Sequence, residues 1–189
     1  YRLMLLICDM IVRHQMPTQF AGGKQFYSVD LSWKFVWRVF ERFVANFYAM
    51  HLPDWKVIPQ KTLYWPTQGS SSFLPVMKPD IVMEHKATLN RAVIDTKLTG
   101  KSLISGQHGN QTFNRDHVFQ LYAYLQSQAE QSPACKTATG VLLYPTVKHQ
   151  LSESVMIQGH QLRWETIDLT IPWQDIEIAL IELANSLIQ

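Results

Sequence analysis

Apolar positions in this chain fall into blocks whose period switches between that of helices and that of strands. Leu3, Leu6, Ile7, Met10 and Ile11 recur at helical spacing and predict a short opening helix. Residues 14–26, with Pro17, Gly22 and Gly23, read as a loop. A longer helix follows over about 32–50, with Asp30 or Ser32 as its cap. Trp33, Trp37, Phe40, Val44, Phe47 and Tyr48 give it one broad apolar face. Glu41 shares a row with Trp37, Val44 and Tyr48, so it stands at the edge of that face. There it either leans inward or pairs with Arg38 on the surface. Pro53 ends the helix, alternation around Val57 and Leu63 predicts a strand over 55–65, and residues 66–75 are a loop.

The next stretch organises the rest. Ile81-Val82-Met83 and Ala92-Val93-Ile94 are two short apolar runs around a polar connection, which predicts a β-hairpin. Centring the turn between Ala87 and Thr88 sets Ile81 opposite Ile94, Val82 opposite Val93 and Glu84 opposite Arg91. That last pair is of the opposite-charge kind that favours a register. Asp80 then faces Asp95. Strand alternation puts Asp95 and Lys97 on one face and Ile94 and Thr96 on the other. Asp80, Asp95 and Lys97 are thereby gathered at the open end of the hairpin. Paired carboxylates are hard oxygen ligands suited to Mg²⁺, which completes its shell with water and substrate phosphate, and Mn²⁺ can substitute for it. A neighbouring ammonium can orient the attacking water or stabilise the charge that develops on phosphate.

Beyond the hairpin, residues 99–114 are polar and carry Gly100, Gly106 and Gly109. A loop of that length is either functional or disordered, and Lys101 and Arg115 make substrate contact its functional reading. Asn114 or Asp116 caps a helix to about Ala129, with Val118, Leu121, Tyr122, Leu125 and Ala129 as its buried stripe. Asp116, Gln120 and Tyr124 form a separate polar row that can project beside the hairpin patch. Residues 138–144 read as a buried strand stopped by Pro145, and 155–157 and 162–169 alternate as edge strands. Pro172 introduces a last apolar helix to Ile188.

Composition narrows the picture only in places. A length of 189 residues with 47% apolar and 17% charged positions is ordinary for one globular domain. The net charge of +2 permits a local nucleic-acid surface without announcing one, although Lys78, Lys86, Arg91, Lys97, Lys101 and Arg115 cluster around the hairpin in sequence. Cys8 and Cys135 cannot form a disulfide framework or a four-cysteine cluster, so a reducing, cytoplasmic setting is expected. The apolar run at 3–12 is too short to span a bilayer and is broken by Asp9. No phosphate-binding G-x-x-x-x-G-K-[ST] loop occurs, so the chain is not itself a nucleotide-driven motor. A first residue of tyrosine suggests a start inside a longer protein.

Pro79-Asp80, fourteen intervening residues and Asp95-Thr96-Lys97 resemble the PD-(D/E)xK nuclease signature. The order helix, strand, hairpin, helix, strand is similar to that superfamily's core. Three segments resemble the McrC-type nuclease subunit of 5-methylcytosine restriction systems. They are Val29-Asp30-Leu31 with Val39-Phe40-Glu41-Arg42-Phe43-Val44, then Lys78-Pro79-Asp80-Ile81-Val82 with Val93 to Lys97, then Asp116 to Tyr124. The Gln120-x-x-x-Tyr124 spacing is also similar to that of RecB-like nucleases.

The resemblance implies an α/β restriction-endonuclease-like core over 29–170, with a mixed central sheet flanked by helices. A helical lead-in would occupy 1–28 and a terminal helix 171–189. It implies that Asp80, Asp95 and Lys97 are catalytic, that Glu41 joins Asp80 and Asp95 as a metal ligand, and that Gln120 and Tyr124 support the site or touch substrate. It implies Mg²⁺ as cofactor, and DNA and an AAA+ GTPase motor of the McrB type as partners. The activity it implies is DNA cleavage in a modification-dependent restriction complex. The competing readings are a catalytically silent nuclease-like binding domain and a free-standing RecB-like nuclease. Leu98 departs from the tyrosine usual after the lysine.

Overall fold

The computed structural model describes residues 33–69, 71–98, 103–105, 111–146 and 150–188. The expected opening helix, the lead-in and Lys101 lie outside these residues. Helix α1 (Trp33–His51) leads into β1 (Trp55–Pro59), followed by β2 (Ile81–His85) and β3 (Arg91–Thr96). A small pair, β4 (Leu103–Ser105) and β5 (Gln111–Phe113), precedes α2 (Arg115–Gln128), a 3₁₀ turn at Ala129–Gln131 and the short α3 (Pro133–Lys136). Strands β6 (Thr139–Thr146), β7 (Ser152–Ile157) and β8 (His160–Asp168) and helix α4 (Trp173–Asn185) complete the order. Among the described residues no helix is long and apolar enough to cross a membrane.

The main sheet has the order β1-β2-β3-β6-β8-β7. The β1–β2, β2–β3 and β7–β8 pairs are antiparallel, while β3–β6 and β6–β8 are parallel. Between β3 and β6 the chain crosses over through α2, as a parallel connection requires. The hairpin register is the expected one: Ile81 opposes Ile94, Val82 opposes Val93 and Glu84 opposes Arg91. Arg91 Nη1 donates to Glu84 Oε1 at 2.5 Å, and Lys61 Nζ reaches the same oxygen at 3.1 Å. Burial alone would raise the Glu84 carboxyl. The hydrogen bond and charge of Lys61, with Arg91 and Lys56, outweigh it and hold the group below the usual range.

Alternation along the strands feeds two cores. On one face Ile81, Met83, Ile94, Val141 and Leu143 pack under α1 and α4. On the other, Val82, Val93, Leu142 and Tyr144 pack under α2. Central strands buried on both sides read as continuous apolar runs, as Ala92-Val93-Ile94 of β3 and Val141-Leu142-Leu143 of β6 do.

The structure departs from the sequence reading at five places. Strand β1 ends at Pro59 rather than continuing to residue 65, because Gln60 turns the chain at φ 51°. Leu63 makes only an isolated bridge to Met77. The stretch 99–114 holds the β4–β5 pair instead of being loop throughout. Pro145 lies inside β6 rather than stopping it. Pairing with β3 ends at Leu143, so on that side a missing N–H leaves no ladder bond unmade. Strand β8 is interior, between β6 and β7, and only β7 forms that edge. On α1, Val36 and Phe43 fill the buried face, while Trp37 is 40% exposed at its margin.

Helix α2 reaches the sheet over Gly140. A Cβ there would come within 2.7 Å of Leu125 Cδ1 and 2.9 Å of Leu121 Cγ, both in fully packed side chains. Gly140→Ala should therefore push α2 off the sheet and lower stability by about 1–3 kcal/mol, the usual cost of overpacking a core. Urea unfolding of the two proteins measures the difference.

Candidate active site

The pairing of β2 with β3 determines where the charged groups end up. Asp80 immediately precedes β2, Asp95 is the fifth residue of β3, and Lys97 follows that strand directly. All three are buried, at 5%, 1% and 6% exposure. Charge buried to this degree survives only with partners, and each group has them. Lys97 Nζ lies 2.5 Å from Asp95 Oδ2 and donates to Gln120 Oε1 at 2.7 Å. Asp80 Oδ2 accepts from both the backbone N–H and the hydroxyl of Thr96, each at 2.7 Å. Burial pushes the Asp95 carboxyl up to about 6, with the Lys97 charge opposing and the Asp80 charge adding to the rise. Asp80 is raised as well, again chiefly by burial, against the bonds from Thr96 and the Lys97 charge.

The main chain around these groups is also fixed. Trp37 Nε1 donates to Thr96 O at 3.0 Å, and Lys97 N donates to Leu143 O at 2.9 Å. The Trp37 ring centroid lies 5.8 Å from Lys97 Nζ, within range of a cation–π contact. Helix α2, whose first turn is capped by Asn114 Oδ1, supplies the support row. Gln120 Nε2 donates to Tyr124 Oη at 2.7 Å while its Oε1 holds the lysine. Burial, then the Asp95 charge, pushes the Tyr124 phenol up to about 12, so it stays a neutral hydrogen-bonding group. Behind it, His117 Nδ1 and Tyr144 Oη lie 3.0 Å apart. Burial and the Lys97 charge hold the imidazole below its ordinary range.

Glu41 turns inward from the edge of α1. It is half-buried, and its Oε1 accepts from Gln60 Nε2 at 2.5 Å; the same amide reaches Asp80 Oδ1 at 3.3 Å. Burial raises the Glu41 carboxyl, and the Asp80 charge raises it further. Of the expected residues, the structure therefore links Asp80, Asp95, Lys97, Glu41, Gln120 and Tyr124. Arg115 is exposed on the first turn of α2 and pairs with Asp116 at 3.5 Å, apart from this network. Gln60, Thr96 and Trp37 are site residues that the sequence reading missed. Gln60 sat inside an expected strand, and Thr96 was read only as a spacer facing away.

Three carboxylates approach this end of the sheet, but among the described residues no three acidic, histidine or cysteine side chains close into a preformed ligand cluster. The donor chemistry nonetheless fits a hard cation that needs only one or two carboxylates. Thr96 occupies Asp80 Oδ2 with two short bonds, while Oδ1 takes only the longer 3.3 Å contact from Gln60 among the described residues. Asp95 Oδ2 carries the Lys97 charge and accepts no further hydrogen bond among the described residues. Asp80 and Asp95 are the residues able to hold such an ion, with Glu41 beside them.

This mixed sheet, covered by helices on both faces and with acids and a lysine at the hairpin's end, defines a restriction-endonuclease-like α/β protein. The chain belongs to the family described as McrBC 5-methylcytosine restriction system component, whose model matches residues 1–145. It is 24% identical over 187 residues to the type IV methyl-directed restriction enzyme EcoKMcrBC of Escherichia coli strain K12, across 97% of this chain and 52% of that protein. The chain thus spans about half the length of the curated relative it matches.

The raised Asp95 carboxyl has a consequence for stability. A carboxyl with a higher pKa when folded binds its proton more tightly in the native state, so the folded form loses ground as pH rises from the unfolded value to about 6. Metal-free protein should therefore lose stability relative to Asp95→Asn over that window and run parallel to it above. Denaturant midpoints for the pair from pH 4 to 8, in chelator, follow the effect. Curves parallel throughout would contradict it.

Proposed function

We propose that this chain is the Mg²⁺-dependent endonuclease subunit of a modification-dependent restriction system and hydrolyses phosphodiester bonds in DNA. The observation that carries the reading is the joining of Asp80, Asp95 and Lys97 at one hairpin end, with Lys97 clamped between Asp95 and Gln120. Family membership supports the restriction context, and the relative's description as methyl-directed supports dependence on DNA modification.

Asp80, Asp95 and Glu41 are the groups that would hold the cation, for which Mn²⁺ can substitute. When bound, such an ion acidifies water and offsets phosphate charge. The protein's own residues do the rest. Thr96 fixes the Asp80 carboxylate by two hydrogen bonds and so presents its other oxygen to the ligand side. Gln120, itself anchored on Tyr124, aims the Lys97 ammonium. From there Lys97 orients the attacking water or meets the charge that builds on the phosphate oxygens.

Asp95→Asn and Asp80→Asn should abolish cleavage while leaving the fold intact, and Lys97→Ala should lose turnover but keep much of the metal binding. Glu41→Gln should cost about 10- to 100-fold in metal affinity or activity, the scale of lost ligand or ligand-supporting groups. Plasmid nicking paired with metal titration on the same proteins reads each effect. A metal titration unchanged in Asp95→Asn would sink the assignment, and wild-type rates for Lys97→Ala would remove the lysine from the chemistry.

The second part of the proposal concerns the motor. The chain has no phosphate-binding glycine loop and a net charge of only +2, which gives it little sequence-independent grip on DNA. We infer that an AAA+ GTPase of the McrB type delivers the substrate. The 189-residue chain alone, in Mg²⁺ at about 0.15 M salt, should nick plasmid feebly. Rapid cutting without partner or nucleotide would instead make it a free-standing nuclease.

A further inference from the structure

The residue at the end of β1 belongs to the site in a way that none of the carboxylates explains. Gln60 is one of two non-glycine residues at positive φ among those described, at 51°. A side-chain-bearing residue held in the left-handed region is disfavoured, and such residues collect where the surrounding structure imposes them, often at functional positions. Here the backbone is tied to the site directly, since Gln60 N donates to Asp80 O at 2.8 Å. The same turn aims the side chain at two acids from different elements. Nε2 reaches Glu41 Oε1 on α1 at 2.5 Å and Asp80 Oδ1 ahead of β2 at 3.3 Å. Both partners are carboxylates, which accept and do not donate when ionised, so the amide's NH₂ end is the one that lies between them.

The oxygen it contacts on Asp80 matters. Thr96 already takes Oδ2 with two hydrogen bonds, so Oδ1 is the oxygen left to bind a cation, and Gln60 covers that oxygen. Two acids brought together without a counter-charge repel, and an amide NH₂ is a donor that can sit between them. We propose that Gln60 is a stand-in for the cation. It bridges Glu41 and Asp80 and gives them up to the metal when one binds. This rests on the metal-site reading above, and it assigns to a neutral side chain the task of holding two mutually repelling acids together. Metal binding then includes the rupture of the Gln60 bridge, so the bridge lowers the apparent affinity of the ion.

The opposite role predicts the opposite sign. A residue that stays bonded to the ligand carboxylates and orients them would strengthen metal binding. Calorimetric titration of Mn²⁺ and Mg²⁺ into the full chain without DNA distinguishes the two. Gln60→Gly deletes the amide while accepting φ 51° without strain, and Gln60→Met keeps the length but has no donor. Melting curves of both variants establish that they fold. Each should bind Mn²⁺ about tenfold more tightly than wild type, the equilibrium equivalent of one hydrogen bond to a charged group. Equal or weaker binding, with wild type binding normally, overturns the stand-in role and leaves the metal site standing. Absence of binding in wild type and variants alike overturns both.

Discussion

Burying two carboxylates and an ammonium at the end of one hairpin is the constraint that the surrounding structure satisfies. Asp80, Asp95 and Lys97 are each less than a tenth exposed, and an isolated charge so placed would cost several kcal/mol. The fold meets that cost with directed partners. Thr96 holds Asp80, Gln120 holds Lys97, Tyr124 holds Gln120, and Trp37 fixes the main chain between the two charged residues of β3's end. Of these bonds, the one from Thr96 to Asp80 is set directly by the register of β2 on β3. The apolar pairs Ile81–Ile94 and Val82–Val93 and the Glu84–Arg91 pair at the opposite end of the hairpin secure that register.

The same burial accounts for the tuning of the ionisable groups. Desolvation raises Glu41, Asp80 and Asp95 together, the Asp80 charge adds to the rise of the other two, and the Asp95 charge adds to that of Glu41. The proposed divalent ion is a partner of the right charge for such a site, and the donor chemistry rather than a closed ligand cage carries that reading.

The hairpin and its pairing were legible in the chain because local features agreed. Alternation, turn composition and one opposite-charge pair all pointed to a single register. The polar row on α2 was legible for a similar reason, since i, i+4 and i+8 positions on a helix have only one arrangement. What stayed hidden depended on neighbours distant in sequence. An interior β8 and an edge strand have the same alternation until the flanking β6 and β7 are known. Pro145 looks like a stop signal, and only the ending of β3 beside it makes the missing donor harmless. Trp37 fits an apolar face by spacing, yet its indole N–H is needed at Thr96. Gln60 gave no signal at all, because a glutamine at positive φ is set by tertiary contacts and not by its own preference.

The two cores lie on opposite faces of the sheet, and the site draws on both. Glu41 and Trp37 come from the layer formed by α1 and α4, while Gln120 and Tyr124 come from α2 on the far side. Among the described residues, side chains of the two layers come together in one polar network at the end of the hairpin. Side chains deep in one layer can therefore be exchanged without the other layer having to readjust, so long as α1 and α2 keep their distance from that end. Divergence in such a protein need not proceed by coordinated change across the whole interior, because each half of the interior can drift on its own while the small polar junction between them stays in place.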